Sequence, residues 1–493
     1  MSIFTNLEKL KNTPYLLCAT SAVLIGLSRV HSLLSFLIFF AFIPLFYYLE
    51  FDGKKLLKSA AIFSFVLNTI YLHWVTLVTF WGVVGIAVIF SLYFYGVFFI
   101  TKYLSQSHKT RLPIIFLFAW MSLELFLNFT EFRFPWLSVG YAFSDFPLLI
   151  QIADIGGVFL ISIFIILVNI ILYGLFKKTH IKKLISLALV FLFWIGYGVF
   201  CLFVFPSGEK DLKISVLQPN ISNQNKHRST YLDTTFAIID KLADEAKADG
   251  SELLILPESV IPKFILKDEF LYERVFSLAK KYEVDIFLGF IDYIPTNEAY
   301  KYTNSAKLIS AVNDPKNHYN KNILVPFGER VPLLDMLPFL WSLKLGQANW
   351  EYGKSIEYYQ TKGSWFSPLI CFEIAFPFQV LKMAKGNLDF LVNITNDAWF
   401  GRSIGTTQHA QMAQVRAVEV RKAIFRSANT GYSTIVSPMG KLLRKINLYK
   451  QGVVSFKLPT TNKSSYFLKY FYRYLFVFPF GLVIFLFLRL LKR

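Results

Sequence analysis

Long apolar runs and short alternating ones divide this chain into two textures. Through the first 205 residues, runs of about 18 to 25 residues almost free of charge recur. A hydrocarbon layer about 30 Å thick needs roughly 20 apolar residues in a helix. The pattern predicts seven spans, at 14–29, 32–49, 59–77, 80–101, 112–130, 155–176 and 184–205, and an eighth at 470–489. No small-residue cleavage site follows the first, so it reads as a span and not as a leader. From 212 to 458 charge returns, and Pro, Gly and Asn punctuate shorter apolar runs. Strands are predicted at 213–218, 252–256, 285–290, 305–312, 367–371, 389–394, 432–436 and 452–456. Helices are predicted at 231–248, 267–282, 375–385 and 407–423. Strands alternating with helices predict an α/β domain with helices layered on a largely buried sheet. The expected organisation is a seven-helix membrane block (1–211), one globular domain (212–458), and a closing transmembrane helix with its tail (459–493).

Composition fits that division. Of 493 residues, 55% are hydrophobic and 18% aromatic, with 53 Phe, which is too apolar for an ordinary soluble protein. The net charge of +19 is spread among the connections between spans, which argues against a nucleic-acid partner. Its distribution sets the expected orientation. Lys9 and Lys11, then Lys54, Lys55 and Lys58, then Lys102, Lys109 and Arg111, then Lys177, Lys178, Lys182 and Lys183, and finally Arg489, Lys492 and Arg493 fall on every second connection. The alternate connections hold only Arg29 and Arg133. Basic connections stay inside. Both termini are therefore expected in the cytoplasm and the globular domain in a periplasm-like space, as in a multi-pass protein of a bacterial inner membrane.

Three cysteines are present. Cys18 and Cys201 fall in predicted spans, and Cys371 is alone in the outer domain, without a disulfide partner there. A solitary thiol in an oxidising compartment is a liability unless it has a use. The seven histidines are scattered without metal-ligand spacing, so no metal and no cofactor is expected.

Three strand ends carry candidate chemistry. "LLILPES" puts Glu258 after an apolar strand. "YNKNILVPFGERVP" supplies Lys321 before an apolar run and Glu329 after a turn. "LICFEIAF" ends a strand at Cys371 and follows it with Phe372 and Glu373. Functional groups of α/β folds collect past strand ends. A carboxylate, an ammonium and a thiol there can perform acyl transfer: the acid takes the thiol proton during attack, and the lysine stabilises the oxyanion with the Phe372 N–H as second donor. Each residue also has a plain reading, with Glu258 beginning a helix, Lys321 as a surface charge and Cys371 as core. Spacing alone leaves both open.

These stretches resemble the Glu-Lys-Cys signature of the nitrilase superfamily. "LPES", "NKNILVPFGERVP", "ICFE", "NITNDAWFG" and "QHAQMAQVRAVEVRKAIFRSANTGYS", with "FPWLSVGYAF" upstream, are similar specifically to the apolipoprotein N-acyltransferase family. The resemblance covers nearly the whole chain. It implies an αββα nitrilase-like domain beside eight transmembrane helices, with Glu258 as general base, Lys321 as oxyanion stabiliser, Cys371 as nucleophile, and Glu329 and Glu373 in support. Two positions depart from the family pattern: Phe372 where Tyr is usual, and His227 where Trp often follows Lys.

The implied reaction is ping-pong transfer of an acyl chain from a phospholipid, through a Cys371 thioester, to the α-amine of a lipoprotein's N-terminal diacylglyceryl-cysteine, carried out by a monomer. Substrates with acyl chains leave lipid at about 0.8 kcal/mol per CH₂, which gives a membrane block a purpose. Segment 331–350, apolar and aromatic, is expected to dip toward lipid as a mouth or lid, or else to pack as core. Glu124, inside the fifth span, is either functional or interfacial. Trp136 and Tyr141 are candidates for headgroup contact, with interfacial anchoring as the alternative. The competing readings are a membrane-tethered nitrilase-like amidase using water as acceptor, a non-enzymatic lipid or lipoprotein binder, and a transporter. Eight spans are excessive for a tether, an intact triad is unexplained in a binder, and a transporter would need paired intramembrane charges.

Overall fold

Helix boundaries in the apolar half are set by turn residues that the hydropathy pattern ran through. The computed structural model describes residues 14–51, 55–78, 80–106, 109–178, 180–205, 208–226, 228–295, 300–337, 339 and 349–491. The positions Lys9, Lys11, Lys54, His227, Lys492 and Arg493, and 340–348 of the expected mouth segment, lie outside the described residues. The chain divides into two units, Met1–Cys201 with Lys469–Arg493, and Leu202–Leu468.

The first unit is helical: α1 (Pro14–Leu27), a 3-10 stretch Ser32–Phe40 leading into α2 (Ile43–Phe51), α3 (Leu56–Tyr71), α4 (Phe80–Ser105), α5 (Leu112–Phe126), α6 (Ala153–Lys177) and α7 (Ile181–Val204), with Val477–Leu490 packed on α5. Length separates the eight expected spans into two groups. Among the described residues, five stretches are long and apolar enough to cross a membrane: Ser32–Glu50, Gly82–Ser105, Ala153–Lys177, Ile181–Val204 and Tyr472–Leu490. Pro14–Leu27, Leu56–Tyr71 and Leu112–Phe126 are shorter, because the chain turns at 28–30, 72–74 and 127–129, where Ser28 and Arg29, His73, and Asn128 interrupt the apolar runs. In α6 the Gly156-Gly157 pair breaks the helical path, and Gly157 takes φ +64°, open to glycine at little cost.

Glu124 of α5 is buried in this unit, neither at an interface nor open to solvent. Its Oε1 accepts from Trp120 Nε1 and the Val139 N–H, each at 3.0 Å, and its Oε2 from Ser162 Oγ at 2.9 Å. The acid therefore fastens the 138–140 turn between two helices. Trp136 and Tyr141 are buried beside it. The Trp136 carbonyl accepts from Tyr71 Oη at 2.5 Å, and the Arg29 guanidinium lies 5.2 Å from the rings of both Tyr71 and Tyr141. The rings of Trp136 and Tyr141 are buried in the helical unit.

The second unit is a helix–sheet–sheet–helix sandwich. The elements are β1 (Gly208–Gln218), α8 (Leu232–Ala248), β2 (Leu253–Ile255), α9 (Glu269–Tyr282), β3 (Asp285–Pro295), β4 (Tyr300–Ile309), β5 (Tyr319–Asn320), β6 (Tyr359–Thr361), β7 (Ser364–Ile370), α10 (Pro377–Met383), β8 (Phe390–Thr395), α11 (Ile404–Val420), β9 (Ala423–Ala428), β10 (Ser433–Val436), β11 (Leu442–Ile446) and β12 (Gly452–Thr460). Six strands form each sheet, in the orders β12-β1-β2-β3-β4-β5 and β11-β10-β9-β8-β7-β6. The centre of each is parallel, β1-β2-β3 in one and β7-β8-β9 in the other, and the flanks are antiparallel. Parallel strands covered on both faces read as apolar runs, and the pattern predicted every one of these except β9, together with the antiparallel β4, β10 and β12. Helices α8 and α9 lay Phe236, Ile239, Leu242, Leu271 and Val275 on the first sheet, while α10 and α11 pack on the second. The two sheets meet through Phe287 against Phe366, with ring centroids 5.3 Å apart.

The helix predicted at 407–423 ends at Val420, and β9 starts three residues later. That strand escaped the pattern because Arg426 interrupts its apolar run. The short β5 and β6 and the charged edge strand β11 escaped it too.

Candidate active site

The C-terminal ends of strands carry the candidate groups. Glu258 follows β2, Lys321 follows β5, Cys371 follows β7, and Asn396 and Asp397 follow β8. Pairing of Ser305 with Asn320 and of Ala306 with Tyr319 fixes the short β5 on β4, so Lys321 starts from a defined point. Its own N–H then donates to the Asn304 carbonyl at 2.8 Å.

The Lys321 ammonium is fully buried between two carboxylates, 2.7 Å from Glu329 Oε1 and 3.7 Å from Glu258 Oε1. Burial alone would lower its pKa, but the negative charges of Glu329 and Glu258 outweigh burial and hold it above its ordinary value. Lys321 is therefore a permanent cation. Glu258 is 6% exposed. Its Oε1 accepts from Asn304 Nδ2 at 2.7 Å and its Oε2 from the Asn396 N–H at 2.8 Å. Glu329 reaches back to the Val325 N–H through Oε2, at 2.8 Å, closing the turn that carries it.

Cys371 is 8% exposed and takes φ +51°, a left-handed conformation uncommon outside glycine. The strand thus ends in a sharp turn, and the 3-10 stretch Cys371–Ala375 follows. Burial pushes the thiol above its usual range; the charge of Glu258 adds to this and that of Lys321 opposes it. The sulfur is protonated at neutral pH. Glu373 holds the turn. Its Oε2 accepts from the Ile370 N–H at 2.7 Å, and its Oε1 from Tyr319 Oη and the Asn322 N–H, both at 2.7 Å, and from the Ile323 N–H at 3.1 Å. One buried acid therefore ties the Cys371 turn to the segment carrying Lys321. Burial raises its pKa, against the pull of these donors. Phe372 is buried, with its ring edge-on to Phe376 at 5.0 Å, so the aromatic position is kept without a hydroxyl.

The structure thus gathers Glu258, Lys321, Glu329, Cys371 and Glu373 in one place and leaves Trp136 and Tyr141 in the helical unit. Sequence reasoning missed several neighbours. Lys226 Nζ donates to the Glu258 carbonyl at 3.1 Å, and its charge interacts with both Glu258 and Cys371. Asn304 bridges toward both carboxylates, at 2.7 Å from Glu258 and 3.4 Å from Glu329. Asp397, His409 and Arg426 form a buried cluster behind Cys371. Lys226 and Asp397 stand among other polar residues, and Asn304, His409 and Arg426 lie inside regular elements, so the sequence did not single them out.

A four-layer sandwich with an acid, a lysine and a cysteine at its strand ends defines a carbon–nitrogen hydrolase domain, and the carbon-nitrogen hydrolase family model matches residues 213–461. A second family model, the apolipoprotein N-acyltransferase N-terminal domain, matches residues 21–171. The apolipoprotein N-acyltransferase of Geobacter metallireducens is 34% identical over 92% of this chain and 91% of its own length. That of Haemophilus influenzae is 31% identical over 74% and 72%, and that of Aquifex aeolicus 32% over 66% and 70%. Among solved structures, an amidase of the nitrilase superfamily from Nesterenkonia is 17% identical, with a TM-score of 0.41, covering 54% of this chain and 95% of that one. The chain belongs to the apolipoprotein N-acyltransferase family.

Proposed function

We propose that this acyltransferase moves an acyl chain from a phospholipid to the α-amine of a lipoprotein's N-terminal diacylglyceryl-cysteine, in two half-reactions through a Cys371 thioester. The observation that supports the residue roles is the buried Lys321 ammonium, 3.7 Å from Glu258 and electrostatically coupled to the Cys371 thiol.

In the first half-reaction, Glu258 takes the thiol proton as sulfur attacks the ester carbonyl. A protonated, buried thiol needs this, since its thiolate is scarcely populated beforehand. Lys321 Nζ and the Phe372 N–H hold the tetrahedral oxyanion. Collapse expels the lysophospholipid alkoxide, which recovers the proton from Glu258 and leaves the thioester. In the second, the acceptor amine attacks that thioester and gives a proton to Glu258. Collapse expels the Cys371 thiolate, which Glu258 reprotonates. Glu329 keeps Lys321 charged and oriented, and Glu373 keeps the two reacting segments in register.

The domain division at 211 and 458, eight spans, cytoplasmic termini and a catalytic domain on the periplasmic side of the inner membrane belong to the same proposal. Three helices too short to span alone complete the eight if neighbouring apolar turns continue them through the bilayer. The mouth role of segment 331–350 draws support from Met336 and Phe339, which are 76% and 70% exposed, and from its base. There Arg330 Nη1 donates to the Trp350 carbonyl at 2.7 Å, and the Trp350 N–H to the Glu329 carbonyl at 2.9 Å. An apolar segment with a fastened base and with Met336 and Phe339 exposed suits a lipid surface.

The test is mass spectrometry of purified protein incubated with phospholipid. An acyl mass on Cys371 that disappears when diacylated lipopeptide is added, with N-acylated peptide as product, is the expected result. Free fatty acid with no acylated peptide overturns the transferase, and unmodified Cys371 during active transfer overturns the thioester.

A further inference from the structure

Behind Cys371 lies a chain of buried polar groups that the two half-reactions leave unused. His409 of α11, Asp397 of the turn after β8 and Arg426 of β9 are all fully buried or nearly so. His409 Nε2 lies 3.1 Å from the Cys371 carbonyl oxygen, and its Nδ1 lies 2.9 Å from Asp397 Oδ1. Asp397 Oδ2 accepts from Arg426 Nη2 at 2.7 Å, and its Oδ1 accepts from Thr395 Oγ1 at 2.9 Å. Arg426 also bonds Asn393 Oδ1 on β8. Three elements converge on one backbone carbonyl.

A carbonyl oxygen can only accept, so the hydrogen of this contact sits on Nε2, and in the neutral ring Nδ1 is then an acceptor facing Arg426 Nη2 at 3.1 Å. Apolar packing would hold a strand end without burying a carboxylate, an imidazole and a guanidinium together, an arrangement that is costly to desolvate. What the cluster grips is the peptide joining Cys371 to Phe372. That peptide is planar, with C=O and N–H pointing in opposite directions. A donor locked on the carbonyl side therefore fixes the direction of the Phe372 N–H. A hydrogen bond to the carbonyl also polarises the amide and strengthens its N–H as a donor. The left-handed φ of Cys371 makes such a grip necessary, since the backbone there would otherwise relax.

We propose that His409, braced by Asp397 and Arg426, is a positioning residue that aims and polarises the Phe372 N–H toward the oxyanion. The inference rests on the thioester reading above. It is tested with His409→Gln, whose side-chain amide can donate to the same carbonyl, and His409→Leu, which cannot. Two rates are measured on each full-length variant: Cys371 acylation by phospholipid in a single turnover, and Cys371 alkylation by iodoacetamide. Alkylation displaces iodide and forms no oxyanion, so it reads the thiol and Glu258 but not the Phe372 N–H.

Leu is expected to slow acylation about 100-fold, the scale of losing one oxyanion donor. Gln is expected to stay within about tenfold of the parent, and alkylation within about threefold for both. Equal acylation losses for Gln and Leu, parental acylation by Leu, or alkylation falling in step with acylation would each overturn the proposal. If neither variant accumulates in membranes, Asp397→Asn keeps the shape and removes the charge. It is expected to slow acylation about tenfold with alkylation unchanged, and parental acylation or a joint loss overturns the role. Cys371→Ala separates the two readings. Transfer surviving in it defeats the thioester, whereas transfer lost in it but parental in His409→Leu defeats only the role of His409.

Discussion

At the scale of single residues, the site works by opposing burial with charge. Lys321 shows which wins there: two carboxylates hold it protonated against desolvation. Lys226 shows the reverse. Burial pulls it down to about 8, with the charges of Glu258 and Cys371 opposing. Its positive charge is present below pH 8 and lost above, and that charge favours the thiolate that forms as sulfur attacks. Acylation of Cys371 by phospholipid, a step with no amine substrate, should therefore slow as pH rises through 8. Lys226→Met should start roughly tenfold slower and show no such limb. A limb of the same shape in the Met variant would remove Lys226 from the account. Legibility divides along similar lines. Glu258, Glu329, Cys371 and Glu373 sit just past apolar runs and Lys321 just before one, where sequence alone marks them as exceptions. Asn304 lies inside β4, Arg426 inside β9 and His409 inside α11, and a polar residue within a regular element gives no direction in which to look for its partner.

At the scale of elements, close approach of β3 to the turn after β2 holds Glu258, the proposed base. A Cβ on Gly289 would lie 2.9 Å from Glu258 Cα, 2.9 Å from the Ser259 nitrogen and 2.8 Å from Ile394 Cδ1. Two of these are backbone atoms that cannot swing aside. Gly289→Ala should displace Glu258 from Lys321, slow acylation at least tenfold and destabilise the sandwich by about 1–3 kcal/mol. Thermal unfolding together with single-turnover acylation checks this, and parental values for both would show that the turn has slack. The central parallel strands other than β9 were readable because burial on both faces leaves an apolar run, which Arg426 breaks in β9. β5 was not: two residues make no pattern, yet they are the ones that anchor Lys321. The end of α11 was misread because the residues after Val420 kept helical spacing while the chain reversed through Arg421, which takes φ +52°.

At the scale of the whole molecule, each unit stands on its own interior. In the helical unit Glu124 accepts three buried hydrogen bonds. Glu124→Ala should lower the stability of the detergent-solubilised protein by about 1–3 kcal/mol, read by thermal unfolding, because Trp120, Val139 and Ser162 lose their acceptor. No loss would mean that water or another group replaces it. Orientation is checked with exposed positions from each side of the proposed topology. Lys241→Cys should react with a membrane-impermeant maleimide in spheroplasts, and Lys178→Cys only after lysis; the opposite pattern would invert the arrangement. Hydropathy made the apolar half recognisable as membrane helices but blurred their ends, since a single polar residue, His73 or Asn128, is all that breaks the apolar run at the turns 72–74 and 127–129.

The seclusion of the Cys371 sulfur also governs how long the protein lasts between substrates. Peroxide attacks thiolates and spares thiols, and the resulting sulfenic acid passes irreversibly to higher oxides. A side chain 8% exposed and kept protonated offers peroxide little to attack. On the proposed mechanism, durability against oxidants and dependence on Glu258 as proton acceptor are two results of the same burial.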